Sequence, residues 1–159
     1  MKKIALLLAV LAVSLTASAQ FEEGKKYVGV SATGLDLNYS GKDDLKIGLE
    51  AKGGYFLFDN LMATGSLKYQ NNGKAPDSFS LGVGGRYYII QNGIFLGANV
   101  EFIHADTNYN DLMPGVEVGY AFFLNRYLTI EPALYYQQSF KKHSDYSCVG
   151  LKVGFGYYF

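Results

Sequence analysis

Hydrophobic and polar residues alternate with a period of two along nearly the whole chain after residue 20. In 45–58, Leu45, Ile47, Leu49, Ala51, Tyr55 and Leu57 take one side, and Lys46, Gly48, Glu50 and Lys52 the other. In 61–70, Leu61, Ala63, Leu67 and Tyr69 oppose Thr64, Ser66, Lys68 and Gln70. The same alternation recurs in 79–90, 94–103, 112–124, 128–138 and 148–159. Successive strand residues point to opposite faces, so each segment reads as a strand with two unlike sides. A weaker candidate, 27–39, changes parity near Gly34, which predicts a bulge. No stretch after Ala19 is long and apolar enough to span a bilayer as a helix.

Together these segments predict an all-β chain of eight strands. The connections alternate in kind. Those at 58–60, 91–93 and 125–126 are tight turns with hairpin chemistry. Tyr39–Asp44, Asn71–Asp77, Ala105–Asp111 and Phe140–Ser147 are longer and more polar. An even strand count with short turns at one end and longer loops at the other predicts an eight-stranded antiparallel up-and-down transmembrane β-barrel.

Alternation alone does not say which face is inside. The polar set holds most of the strand glycines, among them Gly48, Gly82, Gly84, Gly97, Gly115, Gly119, Gly150, Gly154 and Gly156. On a water-facing wall they would only weaken strands. Inside an eight-stranded barrel, where space just admits side chains, they make room for charged neighbours. The inward set carries Lys46, Lys52, Lys68, Arg86 and Lys152 against Glu50, Glu101, Glu117 and Glu131. Buried charges persist when paired, so these nine residues are expected to form a lumenal ion-pair network in which each carboxylate finds a cation. On strict alternation Phe56, Phe58, Tyr88, Phe95, Phe123 and Tyr158 point inward near the tight-turn end and plug the lumen. Outward aromatics gather at both strand ends: Tyr55, Tyr87, Phe122, Tyr157 and Phe159 near the tight turns, and Tyr39, Tyr69, Phe79, Phe102 and Tyr136 near the long loops. Two such girdles around an aliphatic band fit a bilayer.

The chain opens with Met1-Lys2-Lys3, an apolar run from Ile4 to Leu15, and small residues at Ala17 and Ala19. This predicts a signal peptide over 1–19, cut between Ala19 and Gln20, and a barrel domain over 20–159. Composition agrees with such a barrel: 14 Tyr, 11 Phe and 19 Gly, but only 3 Pro and no Trp. Formal charge is zero, so nucleic acid is not expected as a partner. The single cysteine, Cys148, offers no internal disulfide framework.

The ending, "CVGLKVGFGYYF", alternates to an aromatic last residue. With the strand pattern, it resembles the small eight-stranded outer-membrane barrels of the outer membrane protein X and outer membrane protein A transmembrane-domain type. The Gly- and Tyr-rich composition is similar to the porin-family small barrels of Bacteroidetes. The resemblance implies a Gram-negative outer membrane with the C-terminus periplasmic. It also implies that Leu151, Val153, Phe155, Tyr157 and Phe159 form an assembly signal read by the barrel-assembly machinery. Outer-membrane lipid and lipopolysaccharide would surround the barrel, and an extracellular ligand could be met through the long loops. The implied role is structural or surface-interacting, without catalysis or a large pore. A narrow channel for small or apolar solutes, of the outer membrane protein W type, is the alternative.

Catalytic chemistry is weakly signalled. Lipid A deacylases of this fold carry a His and a Ser two residues apart at a strand's outer end. Here His104 is present, but Asp106 stands at the Ser position, so the nucleophile is missing and a lipid-modifying enzyme using His104 is the least favoured reading. His143, Ser144 and Asp145 are consecutive in a loop, where triad geometry is seldom reached. No Cys/His metal spacing occurs, and the glycine runs lack the strand–turn–helix context of a phosphate loop. No cofactor or metal is expected. If the ending is an assembly label, deleting Phe159 should lower the assembled fraction in cells far more than the yield of refolding in detergent. Both are scored by the heat-dependent gel shift, and equal losses would mean that Phe159 acts by packing alone.

Overall fold

A computed structural model describes residues 21–38, 47–71, 78–89, 93–105, 109–140 and 147–159. The predicted signal peptide, Lys46, Asp106 and most of the four long loops lie outside them. The strands are β1 (Lys26–Asn38), β2 (Ile47–Phe58), β3 (Leu61–Asn71), β4 (Ser78–Tyr88), β5 (Ile94–Ala105), β6 (Tyr109–Tyr120), β7 (Phe122–Phe123), β8 (Leu128–Gln137) and β9 (Cys148–Tyr158). The two-residue β7 continues β6 beyond Ala121, and both pair with β8, so nine segments make eight staves. Every pairing is antiparallel between chain neighbours, and β1 pairs with β9 to close the barrel. No helix is present among the described residues.

The parity of the strands is polar-in, apolar-out. Glu50, Lys68, Arg86, Glu101 and Glu131 are buried, while Leu49, Leu67, Leu81, Val83, Val116 and Leu151 are exposed. A water-soluble barrel would show the reverse, and soluble surfaces rarely carry such a continuous apolar band. Aromatic rings bound the band. Tyr55, Tyr87, Tyr127, Tyr157 and Phe159 lie outward at the tight-turn end, and Tyr69, Phe79, Phe102 and Tyr136 at the other. In hydrocarbon each backbone donor and acceptor needs an internal partner, and the closed ladder supplies them.

The glycines do what the inward charges require. A Cβ at Gly97 would meet the Glu117 carboxylate at 2.8 Å. One at Gly82 would meet the Glu101 side chain at 3.0 Å, and one at Gly156 would meet Glu131 at 2.5 Å.

The sequence reading is borne out at one break in the alternation and corrected in two places. The register of β1 against β9 slips between Thr33 and Leu35, so the predicted bulge is present at Gly34. A second slip, between Phe56 and Phe58 in β2, had no signal. It turns Phe58 out of the lumen, where strict alternation had placed it, to 62% exposure. The expected long loop Ala105–Asp111 is also shorter than read, because β5 runs to Ala105 and β6 begins at Tyr109. The tight turns follow local chemistry: Asn60 takes φ 66°, and the Asn125 side-chain oxygen accepts from the amides of Tyr127 and Leu128, each at 2.8 Å.

A closed ladder with an apolar exterior resists dodecyl sulfate until it is heated. The protein should therefore run faster on gels unboiled than boiled, with a β-type circular dichroism spectrum in detergent. Solubility without detergent would contradict this fold.

Candidate functional site: a filled lumen

Inward side chains fill the barrel in layers. The middle layer is ionic. Arg86, from the tight-turn half of β4, reaches across to Glu131 of β8 at 2.7 Å and to Glu117 of β6 at 2.9 Å. Lys52 of β2 lies 3.3 Å from both Glu50 and Glu117. Lys152 of β9 lies 3.2 Å from Glu50 and also bridges Glu117. These six residues, all on the inward parity of their strands, form one connected network. Each carboxylate in it holds at least one cation, as burial away from bulk water demands.

The layer toward the tight turns is aromatic with polar tips. Glu131 accepts hydrogen bonds from the hydroxyls of Tyr27 at 2.9 Å, Tyr158 at 2.8 Å and Thr129 at 2.8 Å. The hydroxyls of Tyr88 and Tyr158 are 2.8 Å apart, and Arg86 donates to Tyr88 at 3.3 Å. The Arg86 guanidinium also lies 3.9 Å from the Phe95 ring centre, a cation–π contact. Phe56, Phe95 and Met62 are fully buried beside these rings, and Phe123 packs against them.

The layer toward the long loops is polar. Lys68 donates to Gln137 at 3.5 Å and stands 5.4 Å from the Tyr135 ring centre. Glu101 accepts from the Asn99 amide at 2.9 Å. Its second oxygen is buried without a hydrogen bond, and no cation lies within bridging distance among the described residues. Among the described residues, which leave out Lys46, the cation expected beside Glu101 is not found. Its direct neighbours across the ladder are Gly82 and Met113, which bring no charge. Farther out, Ser139 donates to the buried Asp111.

Little space remains. One cavity of about 10 Å³ lies among Lys68, Glu101, Gln137 and Lys152, and another of about 10 Å³ among Tyr27, Arg86, Glu131 and Ala133. Each holds about one water.

The other residues singled out in the sequence lie on the outer wall. Leu151, Val153, Phe155, Tyr157 and Phe159 form the exposed face of β9 and its last residue. His104 is exposed at the long-loop end of β5, its Nδ1 2.7 Å from the Asn110 side-chain oxygen. Its partners across the ladder are Phe79 and Asn110, neither of them a nucleophile. No cluster of His, Cys, Asp and Glu able to hold a metal occurs among the described residues.

Sequence reasoning missed Tyr27, Thr129 and Phe21. Tyr27 and Thr129 stand on the inward parity of their strands and were legible there. Phe21 precedes β1 and had no periodicity to place it, yet it is fully buried in the aromatic layer.

No family model matches the chain, and no curated protein does. Solved structures do. A de novo designed transmembrane β-barrel superposes with a TM-score of 0.61 at 16% identity, over 88% of this chain and 99% of the design. Neisserial surface protein A gives 0.59 at 15%, over 85% and 97%. The Yersinia pestis outer membrane protein Ail, in a phospholipid bilayer nanodisc, gives 0.58 at 14%, over 86% and 100%. The fold is that of the small eight-stranded outer-membrane β-barrels. At these identities the likeness speaks for fold, and the designed barrel underlines that the fold by itself carries no particular activity.

Removing Arg86 leaves Glu131 and part of Glu117 as buried, undercompensated charges. Arg86→Ala should cost about 3–5 kcal/mol of stability in detergent. Lys152→Ala should cost a comparable amount, since Glu50 and Glu117 both lean on it. Lys68→Ala, which loses one long hydrogen bond, should cost clearly less. Urea unfolding followed by the gel shift measures all three.

Proposed function

We propose that this protein is a shut, non-catalytic barrel of the Gram-negative outer membrane, with a structural or surface-interacting role. The observation that carries the reading is the filled lumen. Two connected layers, one ionic and one aromatic, cross the barrel, and the two cavities among these lumenal side chains are water-sized. A solute path would have to break several charge pairs at once. The matches to Neisserial surface protein A and outer membrane protein Ail support an outer-membrane location.

In this reading the C-terminus and tight turns face the periplasm, and the long loops face outward. Lipopolysaccharide and other outer-membrane lipids contact the apolar band between the aromatic girdles. The barrel-assembly machinery reads Leu151, Val153, Phe155, Tyr157 and Phe159 during insertion, and these residues lie together on one accessible face of the last strand. An extracellular ligand meets the loops, the parts of a rigid scaffold where recognition usually resides. Catalysis is disfavoured because His104, near the outer rim, is hydrogen-bonded to an amide, with no nucleophile opposite it on the ladder.

The test is planar-bilayer recording on refolded protein. The wild type should show no steady conductance. Arg86→Ala or Lys152→Ala, which break the ionic layer, should show brief openings. A large, steady wild-type conductance would replace this reading with that of a small channel.

A further inference from the structure

The wall of the barrel is complete from Lys26 onward: Lys26 donates to the Phe159 carbonyl at 2.8 Å and accepts from the Phe159 amide at 3.0 Å. The residues just before it, 21–25, add nothing to the ladder between β1 and β9. Instead they fold back across the tight-turn mouth. Gly24, at φ 86°, makes the reversal, and the Lys25 amide donates to the Glu22 carbonyl at 3.3 Å. Four hydrogen bonds moor this strap to the β2–β3 hairpin. Gly24 donates to the Phe56 carbonyl at 3.0 Å, the Phe56 amide to the Lys25 carbonyl at 2.9 Å, Asn60 to the Phe21 carbonyl at 2.7 Å, and the Glu23 amide to Asp59 Oδ1 at 2.9 Å.

The strap has two unlike parts. Glu22, Glu23 and Gly24 are exposed, while Phe21 is wholly buried in the lumen. Its ring stacks on Tyr88 at 3.9 Å between centres and 16° between planes, and it contacts Phe123 at 5.6 Å, Tyr158 at 5.8 Å and Phe56 at 6.1 Å. Directly behind this cluster lie Glu131 and Arg86 and the water-sized cavity that Ala133 also lines.

We infer that the Phe21–Lys25 strap is a detachable plug: a polar handle with one aromatic stopper, which governs access of water and small solutes to the lower lumen from the tight-turn mouth. The inference rests on the reading of a shut lumen and names the element that shuts this end. Detachment breaks the mooring bonds at the end of the β1–β2 ladder but leaves the β1–β9 seam whole, so it costs far less than unfolding and is a local opening. Seated, the stopper excludes water from the Tyr88–Tyr158–Glu131–Arg86 network and so preserves the strength of those charged hydrogen bonds. Unseated, it leaves a pocket walled by Tyr88, Phe56, Phe123 and Tyr158 that fits one aromatic side chain.

Thiol accessibility tests the inference. Ala133→Cys, in a Cys148→Ser background, places a thiol beside the lower cavity. Folded protein in detergent micelles is treated with methyl methanethiosulfonate, labelling is followed by mass spectrometry, and the gel shift certifies the fold. With Phe21 in place labelling should be slow. Phe21→Ala should speed it about tenfold or more, because loss of a buried ring raises the open population. Phe21→Leu, which keeps a large apolar stopper, should remain slow. Gly24→Ala leaves the stopper untouched. A Cβ there meets nothing within 4 Å, so it acts only by straining the φ 86° turn, and it should also speed labelling. If Phe21→Ala does not fold, Gly24→Ala decides. Unchanged labelling in folded variants would overturn the plug. Rapid labelling with Phe21 in place would instead overturn the shut lumen itself.

Discussion

Closure of β1 on β9 is the constraint on which the rest depends. In a bilayer an unpaired strand edge has no water to turn to, so the last strand must find the first. Once eight strands close, the barrel width is set, and with it the space inside. Everything in the lumen answers to that limit. Glycines occur where a Cβ would strike a neighbouring carboxylate, as at Gly97 and Gly156. Charged side chains are drawn close enough to neutralise one another without a continuous water column between them.

The lumen is therefore a polar core in place of an apolar one. Its strongest member is Arg86, which joins the two crossing layers through Glu117 and Glu131 and rests on the face of Phe95. Glu131 is the complement, with Arg86, Tyr27, Tyr158 and Thr129 around its two oxygens. Toward the long loops, Glu101 keeps one oxygen without a hydrogen bond. In the proposed reading, a filled lumen of this kind stiffens the scaffold and closes it to solutes, which suits an anchor or a display platform more than a conduit. The strap at the other mouth completes the closure with an element outside the wall.

Period-two alternation made the strand count, the antiparallel order and the polar-in sense legible before any coordinates. The reason is physical: when each strand has one face on lipid and one on a crowded lumen, parity alone sorts its residues. The same logic named Glu50, Lys52, Arg86, Glu117, Glu131 and Lys152 as inward charges. It failed where parity is interrupted. The β2 bulge turned Phe58 outward, and Phe21, before the first strand, had no parity to read.

By itself the sequence determined which residues face lipid and which face the lumen, because that choice is local and repeats every second position. Only the tertiary structure decided who meets whom. Arg86 and Glu131 are 45 residues apart and Lys152 and Glu50 are 102 apart. Their meeting depends on strand stagger and barrel closure, which are properties of all eight strands together. The same arrangement set Glu101 beside Asn99, with no cation in bridging distance among the described residues, and brought Phe21 over Tyr88.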